Sequence, residues 1–127
     1  MTEAVAIIAF DHGRVLLIRS RKRPGSVEIP CGSLQPGETL FEGAARELFE
    51  ETGLTAEAWH ALPIIHKTVR EHLVYFVWLT KWTGTLRAGD DAEAAFWGDP
   101  DWIREGSHPE DYEIVTRLQT WRKERER

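Results

Sequence analysis

The 127-residue chain contains a single cysteine, Cys31. One thiol excludes an internal disulfide framework and a cysteine-rich zinc module, and it suits a reducing, cytoplasmic setting. No run of about 18 apolar residues occurs, so no membrane-spanning helix is expected. The opening Met1-Thr2-Glu3-Ala4 is acidic where a secretory signal is basic. Positive charge is in deficit, with 16 Lys+Arg against 21 Asp+Glu and a formal net charge of −5, which argues against a surface built to hold nucleic-acid backbone. Repeats, linkers and low-complexity tracts are also missing. An apolar fraction of 42% with six Trp rules out a disordered chain, and the length fits one domain over residues 1–127 with a core of its own.

Two apolar runs, Val5-Ala6-Ile7-Ile8-Ala9-Phe10 and Val15-Leu16-Leu17-Ile18, flank Asp11-His12-Gly13-Arg14, which has the turn chemistry of a hairpin. A basic loop from Arg19 to Ser26 leads to Val27-Glu28-Ile29-Pro30, and the segment from Cys31 to Gly37 predicts an ordered, irregular loop. Thr39 to Gly53 predicts a helix with both ends marked. Thr39 and Glu42 have capping-box spacing, Gly53 sits where a left-handed residue ends a helix, and Leu40, Ala44 and Leu48 line one face. Pro63 punctuates the chain, Ile64 to Val69 resumes a strand pattern, and Arg70-Glu71-His72 reads as a turn. Leu73 to Leu79, apolar on both faces, predicts a central strand, and Ala94 to Trp97 a last one. Pro109 opens a second helix, in which Tyr112, Val115, Leu118 and Trp121 or Arg122 recur at helical spacing; its charged tail from Arg122 suits a solvated C-terminus.

The first helix is loaded against its own dipole. Glu47, Glu50 and Glu51 stand at i, i+3 and i+4, so three like charges share one face, each close pair costing roughly 0.2–0.5 kcal/mol. They also lie in the last turns, where the macrodipole favours cations. A carboxylate trio placed this way suits bound divalent cations, since hard Mg²⁺ is held by carboxylates while it keeps waters and substrate phosphates. Local rules broken without compensation mark functional sites.

Gly32, Glu38, Arg46, Glu47, Leu48, Glu50, Glu51, Gly53 and Leu54 fit a longer pattern: G, five residues, E, seven residues, then R-E-U-x-E-E-x-G-U with U aliphatic. The stretch GSLQPGETLFEGAARELFEETGL, Gly32 to Leu54, matches it at every position. The chain therefore resembles the Nudix hydrolases, in particular the short MutT-like members. The resemblance implies an α/β/α sandwich with a mixed β-sheet and a loop–helix–loop catalytic motif. It implies hydrolysis, dependent on Mg²⁺ or Mn²⁺, of a diphosphate linkage in a nucleoside diphosphate joined to a second group. The substrate would be a (deoxy)nucleoside triphosphate, intact or oxidised, or a nucleotide sugar such as ADP-ribose. It also implies that Glu47, Glu50 and Glu51 ligate the metal, directly or through water, with the Gly32 carbonyl; Arg46 is expected to pair with Glu38 or an adjacent carboxylate and to hold Glu47 in place. The partner is a small nucleotide rather than a nucleic-acid polymer or a membrane, and such proteins occur as monomers and homodimers. The alternative is a Nudix-fold module that binds a nucleotide without turning it over; the intact glutamate trio favours the enzyme.

Further candidates lie outside the box. Gly89-Asp90-Asp91-Ala92-Glu93 resembles an acidic loop of several Nudix subfamilies, with Asp91 as a metal ligand and Glu93 as a base. Arg19 and Arg23, from the basic cluster before the box, are candidates for substrate phosphate, and Trp78 for stacking on a base. Asp111 lies about where MutT-like members read the purine edge. Cys31-Gly32 departs from the usual Gly-Gly, and Cys31 reads as packing because oxygen ligands suit Mg²⁺ better. The proline and tyrosine that mark ADP-ribose and dinucleoside polyphosphate hydrolases downstream of the box are absent. His12, His60, His66, His72 and His108 show no metal-ligand spacing and read as structural or exposed.

Overall fold

The computed structural model describes residues 2–68, 72–89 and 92–125. The predicted hairpin forms from β1 (Glu3–Asp11) and β2 (Arg14–Ser20), and short strands β3 (Val27–Glu28) and β4 (Cys31–Ser33) follow. Helix α1 (Leu40–Thr52) leads to β5 (Thr55–Lys67), β6 (Leu73–Thr83) and β7 (Ala92–Gly98). A 3₁₀ segment (Pro100–Glu105) and helix α2 (Asp111–Arg125) complete the order. The strands make one mixed sheet in the order β3-β2-β1-β6-β5, with β4 also on β1 and β7 also on β2. β1 and β6 run parallel, and the remaining pairs are antiparallel.

Alternation along β1 divides the core between two layers. Ala6, Ile8 and Phe10 face Val115 and Leu118 of α2, while Val5, Ile7 and Ala9 face Ala44 and Leu48 of α1. This is the α/β/α sandwich, and β6 is the predicted central strand, with Phe76 buried on the α2 face and Val77 on the α1 face.

Four elements differ from the sequence expectation. Cys31–Ser33 pairs with β1 rather than lying in an irregular loop, because β1 changes partners along its length. β2 holds it only at Phe10 and Asp11 and then diverges toward β7, leaving the backbone of Ala4–Ala6 for β4. β5 runs unbroken through Pro63. It is an edge strand, where a missing N–H removes no necessary ladder bond, and the register shifts between Ala61 and Ile65 absorb the ring. α2 starts two residues after Pro109, and the 3₁₀ segment has no counterpart in the sequence reading.

Both marked ends of α1 form as predicted. The Glu42 N–H donates to Thr39 Oγ1 at 3.2 Å, and the Thr39 N–H donates to Glu42 Oε1 at 2.9 Å. Gly53 takes a φ of 77°, where a Cβ would be strained, and its N–H closes the helix on the Phe49 carbonyl.

Candidate active site

The divergence of β2 from β1 opens a cleft of about 390 Å³. Ala4, Val74 and the Cys31–Ser33 segment line it, together with Glu47 and Glu51 from α1 and with Ser20, Lys22, Arg23, His72 and His108. Along α1, Glu47 and Glu51 continue the stripe of Ala44 and Leu48, so they point inward instead of into solvent.

Gly32 sits directly under Glu47. A Cβ there would overlap the Glu47 carboxyl group, so a side chain at this position would push that carboxylate out of its seat. One residue earlier, the Cys31 N–H donates to Glu51 Oε1 at 3.0 Å, and Glu51 is only 5% exposed. The loop and helix of the box are thus joined through its carboxylates.

Arg46 organises the acidic cluster. Its Nε and Nη2 donate to the two Glu38 oxygens at 2.7 and 2.9 Å, its Nη1 to Glu47 at 2.8 Å and Glu50 at 3.1 Å, and Nη2 also to the Ser33 carbonyl. The bonds to Glu38 and then Glu47 push the guanidinium further up. Glu38 is held down at about 2 by Arg46 and by the Gln35 N–H. Glu47 moves the other way: burial, reinforced by the neighbouring Glu50 charge, raises its carboxyl despite Arg46. Glu47 and Glu50 face the guanidinium, and among the described residues no three carboxylate, imidazole or thiol groups converge on one point.

The remaining candidates are dispersed. Glu93 is exposed and lies 3.9 Å from Arg19, and neither side chain lines the cleft. Arg19 lies on β2 and Glu93 on β7, and Gly89, before β7, packs so closely on the Glu50 carbonyl that a side chain would strike it. Asp91 lies outside the described residues. Trp78 is not brought to the cleft. Its ring meets Trp121 edge-on at 5.9 Å, near the far end of α2, about 15 Å along the helix from Asp111. Strand spacing places Trp78 on the α2 face but cannot tell which end of that face carries the cleft.

Arg23 does line the cleft, but its guanidinium is engaged by the protein. Nε and Nη2 donate to the two oxygens of Glu28 at 2.6 and 2.7 Å, and Ser26 Oγ donates to the same carboxylate at 2.7 Å. Ser26 Oγ in turn accepts the Ser107 N–H at 2.8 Å, tying the basic loop to the segment that begins α2. Burial pushes the Glu28 carboxyl up, yet the bonds from Arg23 and Ser26 outweigh it and leave it below the ordinary range. Arg23→Ala would strand the buried Glu28 carboxylate, and thermal denaturation should report a loss of about 2 kcal/mol. An unchanged melting temperature would dismiss this structural role.

Asp111, at the start of α2, is 8% exposed, and burial followed by the Glu110 and Glu28 charges pushes its carboxyl up to about 7. Cys31 is a wall residue whose thiol burial keeps protonated, with the Asp111 and Glu51 charges adding to the effect. That favours packing over ligation. His72 and His108 line the cleft; they stand 36 positions apart, and no local spacing signals their convergence. Glu28 and Ser26 were also missed, although a lone carboxylate in the apolar Val27–Ile29 stretch is a signal that it needs a buried partner.

A family model described as the NUDIX domain matches residues 1–118. The chain belongs to the Nudix family. It is 36% identical over 93 residues to the 8-oxo-dGDP phosphatase of Homo sapiens, covering 71% of this Nudix chain and 28% of that protein. It is 34% identical over 100 residues to the ADP-ribose pyrophosphatase of Methanocaldococcus jannaschii, covering 72% and 59% respectively. The Nudix chain thus spans between 28% and 64% of the length of the curated relatives it matches first. Among solved structures, the MutT protein of Bacillus halodurans superposes with a TM-score of 0.74 at 25% identity, covering 91% of this chain and 80% of that one. Among the described residues no helix is long and apolar enough to cross a membrane.

Proposed function

We propose that this Nudix protein hydrolyses the diphosphate linkage of a nucleoside diphosphate joined to a second group, with Mg²⁺ or Mn²⁺ as cofactor. The observation that carries this reading is the seating of Glu47 on Gly32 inside a cleft whose other wall is basic and hydroxyl-rich. The substrate is a (deoxy)nucleoside triphosphate, intact or oxidised, or a nucleotide sugar such as ADP-ribose. The relatives' names include an oxidised nucleoside diphosphate, 8-oxo-dGDP, and ADP-ribose.

The residues fit a hard divalent cation. Glu47, Glu50, Glu51 and the Gly32 carbonyl offer only oxygen donors, and the missing Cβ at Gly32 leaves that backbone open to the carboxylates. When bound, such a cation neutralises diphosphate oxygens and activates a water for attack. The chain supplies the rest. Arg46 fixes Glu38 and Glu47 relative to each other, a positioning role of the kind that ligating carboxylates depend on. Glu51 is oriented by the Cys31 N–H. Glu93 is our candidate for the base, at the start of β7, and Arg19 beside it is available for a phosphate. Asp111, held near half protonation at neutral pH, is both donor and acceptor for a base edge.

The test is a panel of nucleoside triphosphates, oxidised nucleotides and nucleotide sugars with Mg²⁺, Mn²⁺ or chelator, with phosphate products identified. Turnover should appear with either metal and vanish with chelator. Nucleotide binding without turnover under any condition would instead support the sensor.

A further inference from the structure

We infer that His72 is a substrate-binding residue that hydrogen-bonds the nucleoside portion of the substrate. The inference rests on the hydrolase reading of the same cleft and deepens it.

The backbone of His72 is anchored on both sides. Its N–H donates to Thr68 Oγ1 at 3.1 Å, its carbonyl accepts the Thr68 N–H at 2.9 Å, and the next residue, Leu73, donates to the Thr2 carbonyl at 2.9 Å. The side chain has no such anchoring. His72 lines the cleft, no described residue bonds its ring, and Nδ1 is closed off from water without a partner, alone in this among the buried side-chain polar atoms of the described residues. Native structures pair nearly all such atoms, because an unmade buried bond costs more than a made one contributes. The imidazole lines the cleft and is bonded by no described residue, so its open edge is left for a ligand, and Nδ1, closed off in this rotamer, reaches one only when the ring turns about its Cβ–Cγ bond.

Its place in the sheet says which part of the substrate it meets. Val74 pairs with Ala4, and Ala4 pairs with Ser33, so the start of β6 lies two strands from the Gly32–Ser33 segment. Two strand spacings amount to about 10 Å. With the diphosphate held between Gly32 and Glu47, His72 is beyond the scissile bond and reaches a neutral polar group of the sugar or base. The floor between them is Ala4 and Val74, which are apolar and admit a flat ring. No described aromatic residue other than His72 and His108 lines this wall, so recognition there falls to imidazole.

The experiment compares wild type with His72→Leu, His72→Asn and His72→Gln, using the panel nucleotide that wild type turns over fastest. Asn places an amide near Nδ1 and Gln near Nε2. His72→Leu should raise KM about tenfold, the worth of one hydrogen bond, with kcat within about twofold. Its melting temperature should stay level or rise, because an orphaned polar atom has been removed. One of the two amide variants should return KM to within about threefold of wild type. An unchanged KM in His72→Leu, a fall in its stability, or rescue by neither amide would each overturn the inference. Repeating the comparison with the ribo and 2′-deoxy forms of that nucleotide assigns the contact: a penalty lost with the deoxy form places it on the sugar, and one kept places it on the base. If wild type hydrolyses no nucleotide, the hydrolase reading fails by itself. The His72 inference is then decided by titrating ¹⁵N-histidine protein with ADP, where a shift of the His72 ring resonances sustains it and no shift overturns it.

Discussion

Glu51→Gln should lower kcat on any nucleotide the protein hydrolyses by about three orders of magnitude while leaving the fold intact. Glutamine retains the oxygen that accepts the Cys31 N–H, so the link between loop and helix survives. What is lost is one negative charge, on a side chain 5% exposed and facing the cleft. If that charge holds a divalent cation, its removal forfeits transition-state stabilisation of several kcal/mol, and each 1.36 kcal/mol is a factor of ten. Steady-state rates with saturating Mg²⁺, beside a thermal melt, check this. Glu50→Gln should behave alike, though Glu50 bonds Arg46 rather than the loop. A Glu51→Gln enzyme keeping more than a tenth of wild-type kcat would remove Glu51 from the ligand set.

Asp111→Asn should stabilise the protein at pH 8 by an amount approaching about 4 kcal/mol, and by almost nothing below pH 4. The folded carboxyl titrates at about 7, against an ordinary value of 3.8 for an unfolded chain. Its folded value is raised, so the stability it confers is complete below about pH 4, declines as the unfolded chain releases its proton, and is gone once the pH passes 7. The gap corresponds to about 4 kcal/mol at most. Asparagine has no proton to lose, so the variant escapes this decline. Denaturant unfolding of both proteins at pH 4 and pH 8 decides it, and an equal difference at the two pH values would show that burial and the Glu110 and Glu28 charges do not act on Asp111 as described. The same change removes a base-reading group, so the stabilised variant should bind its nucleotide less well.

The parts legible in the sequence are those whose causes are local. Thr39, Glu42 and Gly53 lie within one helix, so its ends could be read, and the close packing of Gly32, Arg46, Glu47 and Glu51 follows from a contiguous loop and helix. β4 could not be read, because three residues including a glycine have no strand signature and acquire one only from the vacant edge of β1. Pro63 reads as a break in the sequence, because whether a strand tolerates proline depends on its being at the edge. Arg23 shows the same limit at the site: its charge is visible in sequence, but its bond to Glu28 depends on a turn that brings the two together. Trp78 and His72 share strand β6 and its neighbourhood, yet one packs on Trp121 and the other lines the cleft, a distinction set by where α2 lies.

The parallel pairing of β1 with β6 governs the order in which the molecule can assemble. Glu3 finds its partner in Leu73 and Ala9 in Leu79, 70 positions later along the chain. A polypeptide emerging from the ribosome can close the β1–β2 hairpin early, but the other flank of β1 stays bare until β6 has been made, and such long-range pairings form slowly. The glutamate helix packs on that same sheet, and Gly32 is held by Val5, whose other neighbour is Tyr75. A peptide cut to Gly32–Leu54 therefore lacks the platform that aligns its carboxylates, and a fragment ending before Leu73 would present β1 as an open, apolar edge prone to self-association.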